Sequence, residues 1–291
     1  MQLTIQNLSK TYPNGTQALK NINLEIPTGL FGLLGPNGAG KSSLMRTIAT
    51  LQDVDTGTVF LDELNVLQNK AEMRKYLGYL PQEFGVYPNI SAEQLLDHLA
   101  LLKGITNKAQ RKELVKALLS QTNLFEVRKK NVGGYSGGMK QRFGIAQALI
   151  GSPKVIIVDE PTAGLDPAER NRFLNLLSEI SEQVIILFST HIVDDVKELC
   201  TNMAIINKGE VISKGNPANA INELKNNIWK KIIRKEELDE NTAQFKVISN
   251  KLSAGKVEIH IYNPTNPGNG FELCEPQLED VYFSKINSSA N

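Results

Sequence analysis

At the start of the chain apolar and polar positions alternate residue by residue. Leu3, Ile5 and Leu8 open a strand-like stretch, Pro13, Asn14 and Gly15 interrupt it, and Leu24, Glu25 and Ile26 resume the alternation before Pro27. Residues 3 to 34 are therefore expected to be strands, the last of them the nearly continuous apolar run LFGLLG at 30 to 35, as in a strand buried on both faces. A helix is expected from Lys41 through Ala49, and YLGYLPQ at 76 to 82 reads as another short strand, ended by Pro81. Between 91 and 124 the period changes: Leu95, Leu96, Leu99 and Leu102, then Leu114, Leu118 and Leu119, recur at helical spacing, which predicts a helical insertion. Two β-branched runs follow, KVIIVDE at 154 to 160 and VIILFSTH at 184 to 191. Each comes after a helical stretch, the alternation that builds a parallel sheet, so the expected class is α/β.

From about Lys225 the pattern changes again. Strands are expected at 228 to 234, 245 to 248 and 257 to 262, then a loop at 263 to 270, a short helix in QLEDVYFSKI, and a frayed polar tail, INSSAN. The expected division is residues 1 to 225 as the main domain and 226 to 291 as a small α+β accessory domain.

The 291 residues include 32 Lys and Arg against 31 Asp and Glu, with no block of like charge, so no nucleic acid partner and no polybasic membrane patch is expected. Cys200 and Cys274 are the only cysteines and stand far apart, which argues against a disulfide framework or a zinc site and for a reducing compartment. The start, MQLTIQNLSK, lacks the basic and apolar regions of a signal peptide. The longest apolar run, VIILF, is far short of the about 20 residues that span a bilayer.

GPNGAGKSS, residues 35 to 43, follows a buried strand, precedes a helix and has the spacing G-x-x-x-x-G-K-[ST]. Glycines let the backbone curve tightly enough to bring many N–H donors onto a polyphosphate, and the following helix turns its positive end toward the same anion. Gly35, Pro36, Asn37, Gly38, Ala39, Gly40, Lys41, Ser42 and Ser43 are thus the expected nucleotide contacts, with Lys41 on the β and γ phosphates and Ser42 on Mg²⁺. In VIIVDE four apolar residues end in two carboxylates at the carboxyl edge of the sheet, where open α/β folds bind ligands. Asp159 there is expected to orient Mg²⁺ and Glu160 to act as general base toward water. His191 and Gln82 end two more such strands, one reaching γ-phosphate and water, the other offering an amide oxygen to Mg²⁺ or water.

Ser136, Gly137 and Gly138 in YSGGM open a further helix and form a second anion site, either converging on the first within one molecule or completing a partner's. Tyr12, before the first turn, could stack on adenine. Asn207, Lys208, Gly209 and Glu210 approach a guanine-recognition motif, but Glu210 stands where Asp is needed, and IINKGEVISKG reads as a hairpin.

In this order the pieces resemble the nucleotide-binding domains of ABC transporters over about residues 1 to 220. GPNGAGKS resembles the Walker A loop, Gln82 the Q-loop glutamine, and Ser136-Gly137-Gly138 the core of the signature. VIIVDE is similar to Walker B with its catalytic glutamate, Gly164-Leu165-Asp166 to the D-loop, His191 to the switch histidine and Tyr12 to the adenine-stacking residue. The resemblance implies a P-loop NTPase (RecA-like) parallel-sheet core with an antiparallel β subdomain and a helical insertion. It further implies an ATPase using ATP and Mg²⁺, paired as a homodimer or pseudo-dimer in which each signature closes over the other's ATP. The implied setting is the cytoplasmic face of the membrane, held there by a separate transmembrane permease. Tyr135 and Met139 depart from the commonest signature, LSGGQ, and with the tail EPQLEDVYF they resemble export-type subunits. The alternatives are a soluble ABC ATPase outside transport, a regulator with a dead site, and a P-loop GTPase or small-molecule kinase. Lys41, Glu160 and His191 argue against the dead site, and the signature against the last.

Overall fold

The computed structural model describes residues 1–82, 85, 87–253 and 255–288. The amino-terminal alternation becomes β1 (Gln2–Thr11) and β2 (Gln17–Pro27), antiparallel neighbours whose inward positions Leu3, Ile5, Leu8, Leu19, Ile22, Leu24 and Ile26 are buried. After β3 (Gly29–Leu34) and α1 (Lys41–Ile48), β4 (Thr56–Leu61) and β5 (Leu64–Asn65) complete a four-stranded antiparallel sheet ordered β2-β1-β4-β5.

Next come α2 (Lys70–Tyr76), β6 (Leu77–Leu80), α3 (Ala92–Leu102), α4 (Lys108–Gln121), α5 (Gly137–Ala148), β7 (Val155–Asp159), α6 (Pro167–Ile180), β8 (Ile185–Thr190), α7 (Val193–Leu199), β9 (Asn202–Asn207) and β10 (Glu210–Gly215). The central sheet is ordered β10-β9-β3-β8-β7-β6, parallel except for the edge hairpin β9–β10. That hairpin turns on Lys208 and Gly209, both with positive φ (48° and 85°), as expected from IINKGEV. Strands β7 and β8 are buried at every position because the sheet is covered on both sides. One apolar cluster joins it to the antiparallel sheet and α1; the other packs it against α6 and α7.

The helical insertion does not stop at 124. Its core unites Leu95, Leu96, Leu118 and Leu119 with Val132, Tyr135, Phe143 and Ile150, so α5 is part of the same helical unit. Ser91 caps α3 with a reciprocal Gln94 capping box, and Asn107 caps α4.

Past α8 (Pro217–Glu223), strands β11 (Ile228–Ile233), β12 (Val247–Ser253), β13 (Lys256–Tyr262) and β14 (Glu272–Leu273) form a third sheet, ordered β12-β13-β11-β14, covered on one face by Leu238 and Phe245 from the segment holding α9 (Leu238–Gln244). The strand expected at 245 to 248 lies later, because α9 occupies the chain up to Gln244. Helix α10 (Leu278–Ser288) bridges this sheet and the main core: it packs on β12 and also on α7, α8 and β10, and its Leu278, Val281 and Tyr282 are buried in the core cluster of the central sheet. Ile286 packs there too, so the expected frayed tail is helix as far as Ser288; residues 289–291 of that expectation lie outside the described residues. Among the described residues no helix is long and apolar enough to cross a membrane.

Candidate functional site

Strand register brings the site together. Leu34 of β3 pairs with Thr190 of β8, Asp159 of β7 with Ser189, and Leu80 of β6 with Val158. The chain therefore leaves these strands at one level of the sheet, and Gly35, Glu160 and His191 emerge side by side with Gln82 beyond β6. Parallel strands present all their carboxyl ends on one edge, which is why residues scattered over 157 positions meet there.

The loop from Gly35 to Gly40 is pressed against backbone. A Cβ on Gly35 would come 2.3 Å from the Ile206 carbonyl oxygen, and one on Gly40 (φ 110°) 2.4 Å from that of Ala18. The Gly209 N–H donates to the Ala39 carbonyl at 2.9 Å, so the hairpin turn braces the loop from outside. Lys41, 5% exposed, donates its Nζ to the carbonyls of Gly35 (2.7 Å) and Pro36 (3.2 Å). The same ammonium lies 3.5 Å from Glu160 Oε1.

Glu160 is the centre of the arrangement. Its other oxygen, Oε2, lies 3.3 Å from His191 Nδ1. Its backbone is left-handed at φ 46°, a conformation that costs a non-glycine residue about 1 kcal/mol or more, and its N–H is anchored on the Ser189 carbonyl and hydroxyl, both at 3.1 Å. Asp159, one residue back and buried, accepts the Ser189 hydroxyl at 2.5 Å.

Beside this group opens a cavity of about 800 Å³ lined by Tyr12, residues 37–43, Gln82 and Glu160, within the range of a small-ligand site. The Tyr12 hydroxyl is tied to the first turn of α1, 3.0 Å from Ser43 Oγ, and donates to Gln52 Oε1 at 3.1 Å. Of the three oxygen donors expected to hold a metal, Ser42 and Gln82 line the cavity, whereas Asp159 is not among its lining residues and is buried against the Ser189 hydroxyl. They fit a magnesium ion that keeps waters and shares phosphate ligands, and no cluster of three or more His, Cys, Asp or Glu suited to a metal stands among the described residues.

Ser136, Gly137 and Gly138 do not line the cavity. They open α5 on the helical unit, where the Ser136 hydroxyl accepts the Met139 N–H at 3.2 Å. The two departures from the commonest signature have a packing reason. Tyr135 is buried with its hydroxyl donating to the Val127 carbonyl at 3.0 Å, and Met139 packs against the helical core. The Tyr135 hydroxyl is held above the usual tyrosine range by burial.

Residues not singled out in the sequence also shape the site. Ser189 anchors both Asp159 and Glu160, and its place two residues before His191 was a visible signal once β7 and β8 were paired. Gln52 and Lys20 reach the site from a loop and a strand that carry no motif, and Lys208, noted above only for its hairpin, lines the cavity from that turn.

Comparison with known proteins identifies the family and the fold. The ABC transporter family profile matches residues 19–163. The chain is 37% identical over 214 residues to the uncharacterized ABC transporter ATP-binding protein YxlF of Bacillus subtilis (strain 168), covering 73% of this chain and 70% of that one. It is also 37% identical to the methionine import ATP-binding protein MetN of Histophilus somni (strain 129Pt), covering 73% of this chain and 64% of MetN. An ATP-binding cassette solved as a dimer in a post-hydrolysis state with ADP and Pi superposes with a TM-score of 0.67 at 26% identity, covering 74% of this chain and 98% of that one. This chain belongs to the ATP-binding proteins of ABC transporters, and its reaction is the hydrolysis of ATP.

Proposed function

We propose that this chain is the motor of an ABC exporter, driving cargo through a separate transmembrane permease on whose cytoplasmic side it sits. The observation that carries the reading is the placement of the Glu160 carboxylate between Lys41 at 3.5 Å and His191 at 3.3 Å, at the mouth of the cavity that begins at the phosphate loop. In this reading residues 1 to 225 carry the catalytic machinery and the third sheet is an accessory unit.

Tyr12 stacks on the adenine, and the backbone of residues 35 to 43 surrounds the phosphates. Lys41 exchanges its two loop carbonyls for β and γ phosphate oxygens. Ser42, Gln82 and Asp159 would hold Mg²⁺, which would neutralise phosphate charge. Glu160 takes a proton from a water whose oxygen attacks the γ-phosphorus, the bond to the β-phosphate oxygen breaks, and ADP leaves. His191 holds the γ-phosphate and the water in line. Ser136, Gly137 and Gly138 lie away from their own cavity and close instead over the ATP of a partner cassette, in a homodimer or pseudo-dimer.

Glu160→Gln tests the base. It is expected to bind ATP, stop turnover and accumulate an ATP-dependent dimer on size exclusion; hydrolysis at the wild-type rate would remove Glu160 from the role. Export rests on Tyr135, Met139 and the tail EPQLEDVYF, whereas MetN, equally similar, is named for import. ATP-dependent accumulation in inverted vesicles carrying this chain and the permease that co-purifies with it would establish export. Accumulation only in right-side-out vesicles loaded with ATP would establish import.

A further inference from the structure

Asp195, on α7 four residues beyond His191, is fully buried and lies outside the cavity lining. An ionised carboxylate in that position persists only with partners, and it has three. Thr162 Oγ1 donates to Oδ2 at 2.8 Å, Thr190 Oγ1 to Oδ2 at 3.2 Å, and Arg170 Nε to Oδ1 at 2.6 Å. The second Arg170 nitrogen, Nη2, also contacts Oδ1.

These donors come from three separate segments. Thr162 stands two residues after Glu160, Thr190 immediately before His191, and Arg170 in the first turns of α6, whose cap is Asp166. Thr190 also accepts the Ile192 N–H on its hydroxyl at 2.9 Å, closing a turn around His191 whose direction the bond to Asp195 then sets. Glu160 needs such support, because its left-handed backbone persists only where neighbouring structure holds it.

We infer that Asp195 is a positioning residue, a buried carboxylate that locks the segment carrying Glu160 and the segment carrying His191 into one frame. It touches neither cavity nor reacting atoms. Its effect is to keep Nδ1 of His191 at 3.3 Å from Oε2 of Glu160, and Arg170 delivers any displacement of the start of α6 to the same carboxylate. The inference rests on the reading that Glu160 and His191 serve hydrolysis.

The test compares the wild-type chain with Asp195→Asn, which keeps shape and removes charge, and Thr162→Val, which removes one donor and leaves the Arg170 pair intact. ATP affinity by calorimetry and the single-turnover hydrolysis rate are measured separately. A positioning role lowers the rate about 10- to 100-fold in Asp195→Asn and by a smaller factor in Thr162→Val, with ATP affinity within about twofold of wild type. Wild-type rates in both variants, or parallel loss of affinity and rate, would overturn it. Should Asp195→Asn not fold, Thr162→Val decides alone. Glu160→Gln separates the two readings: if it is dead while Asp195→Asn is fully active, only the positioning role falls. If Glu160→Gln hydrolyses at the wild-type rate, both fall.

Discussion

Gly138 and Glu169 touch so closely that a Cβ on the glycine would stand 2.2 Å from the glutamate's Oε2. The carboxylate has little room to retreat, being held by Arg142 at 3.2 Å and Arg172 at 2.6 Å. The glycine is therefore demanded by space. In an open helix Gly→Ala stabilises by about 1 kcal/mol, but here Gly138→Ala is expected to destabilise by about 1–3 kcal/mol through overpacking. Thermal melts check the sign. In a Glu160→Gln background, the same change is expected to weaken the ATP-dependent dimer, because the start of α5 must shift.

Lys41 hydrogen-bonds two loop carbonyls and has almost no exposed surface, so its ammonium is already aimed inside the loop. Lys41→Ala is expected to weaken ATP binding about 100-fold, equivalent to roughly 3 kcal/mol for the charge-assisted bonds removed. Calorimetric titration reads this directly, and unchanged affinity would dismiss the phosphate role.

Ser136→Arg introduces bulk and charge at the exposed start of α5, outside the cavity. The lost cap costs about 1 kcal/mol. Monomer ATP affinity is expected to persist while the dimer seen with Glu160→Gln disappears on size exclusion. Equal loss of both would mean that Ser136 serves its own chain's nucleotide.

The gathering of Gly35, Glu160 and His191 at one sheet edge was legible because each motif sits where an apolar run ends: LFGLL before Gly35, VIIV before Asp159 and Glu160, LFST before His191. Strand burial writes itself into local sequence, and the carboxyl edge follows from parallel pairing. Asp195 was not legible, since its meaning lies in Thr162, Thr190 and Arg170, which only the fold brings near. The extent of the helical unit was missed for a similar reason. Tyr135 and Phe143 flank a motif with its own strong signal, and nothing local shows that they pack with Leu96 and Leu119.

His260 on β13 gives the third sheet and α10 a pH-dependent joint. Its Nδ1 lies 2.7 Å from Asp280 Oδ1 on α10, and that hydrogen bond, outweighing partial burial, holds the imidazole above the usual histidine range. Glu258 adds to the rise from 3.5 Å, while Ser249 and Lys230 stand opposite His260 on the two flanking strands. A raised folded-state value means that the stabilisation is fully present below the unfolded histidine value of about 6.5. It is lost as pH rises through the higher folded value. The stability difference between wild type and His260→Gln is expected to be largest near pH 6 and to shrink toward pH 9, measured by denaturant unfolding. A difference that grows with pH would contradict the pair.

Both thiols are expected to be inert in the folded chain. Burial pushes Cys200 up to about 12 and Cys274 to about 11, so little thiolate exists at pH 8. Labelling with an alkylating reagent should be slow until denaturant is added, and rapid modification of either cysteine in the native state would refute this.

Because α10 seals an apolar face formed by segments made long before it, order of synthesis matters. While the ribosome is still producing the third sheet, the surface that Leu278, Val281 and Tyr282 will cover stays bare, although the phosphate loop, Glu160 and His191 have already been made. A nascent chain halted near residue 225 would hold a complete phosphate loop yet carry a sticky flank, a natural target for chaperones until the closing helix arrives.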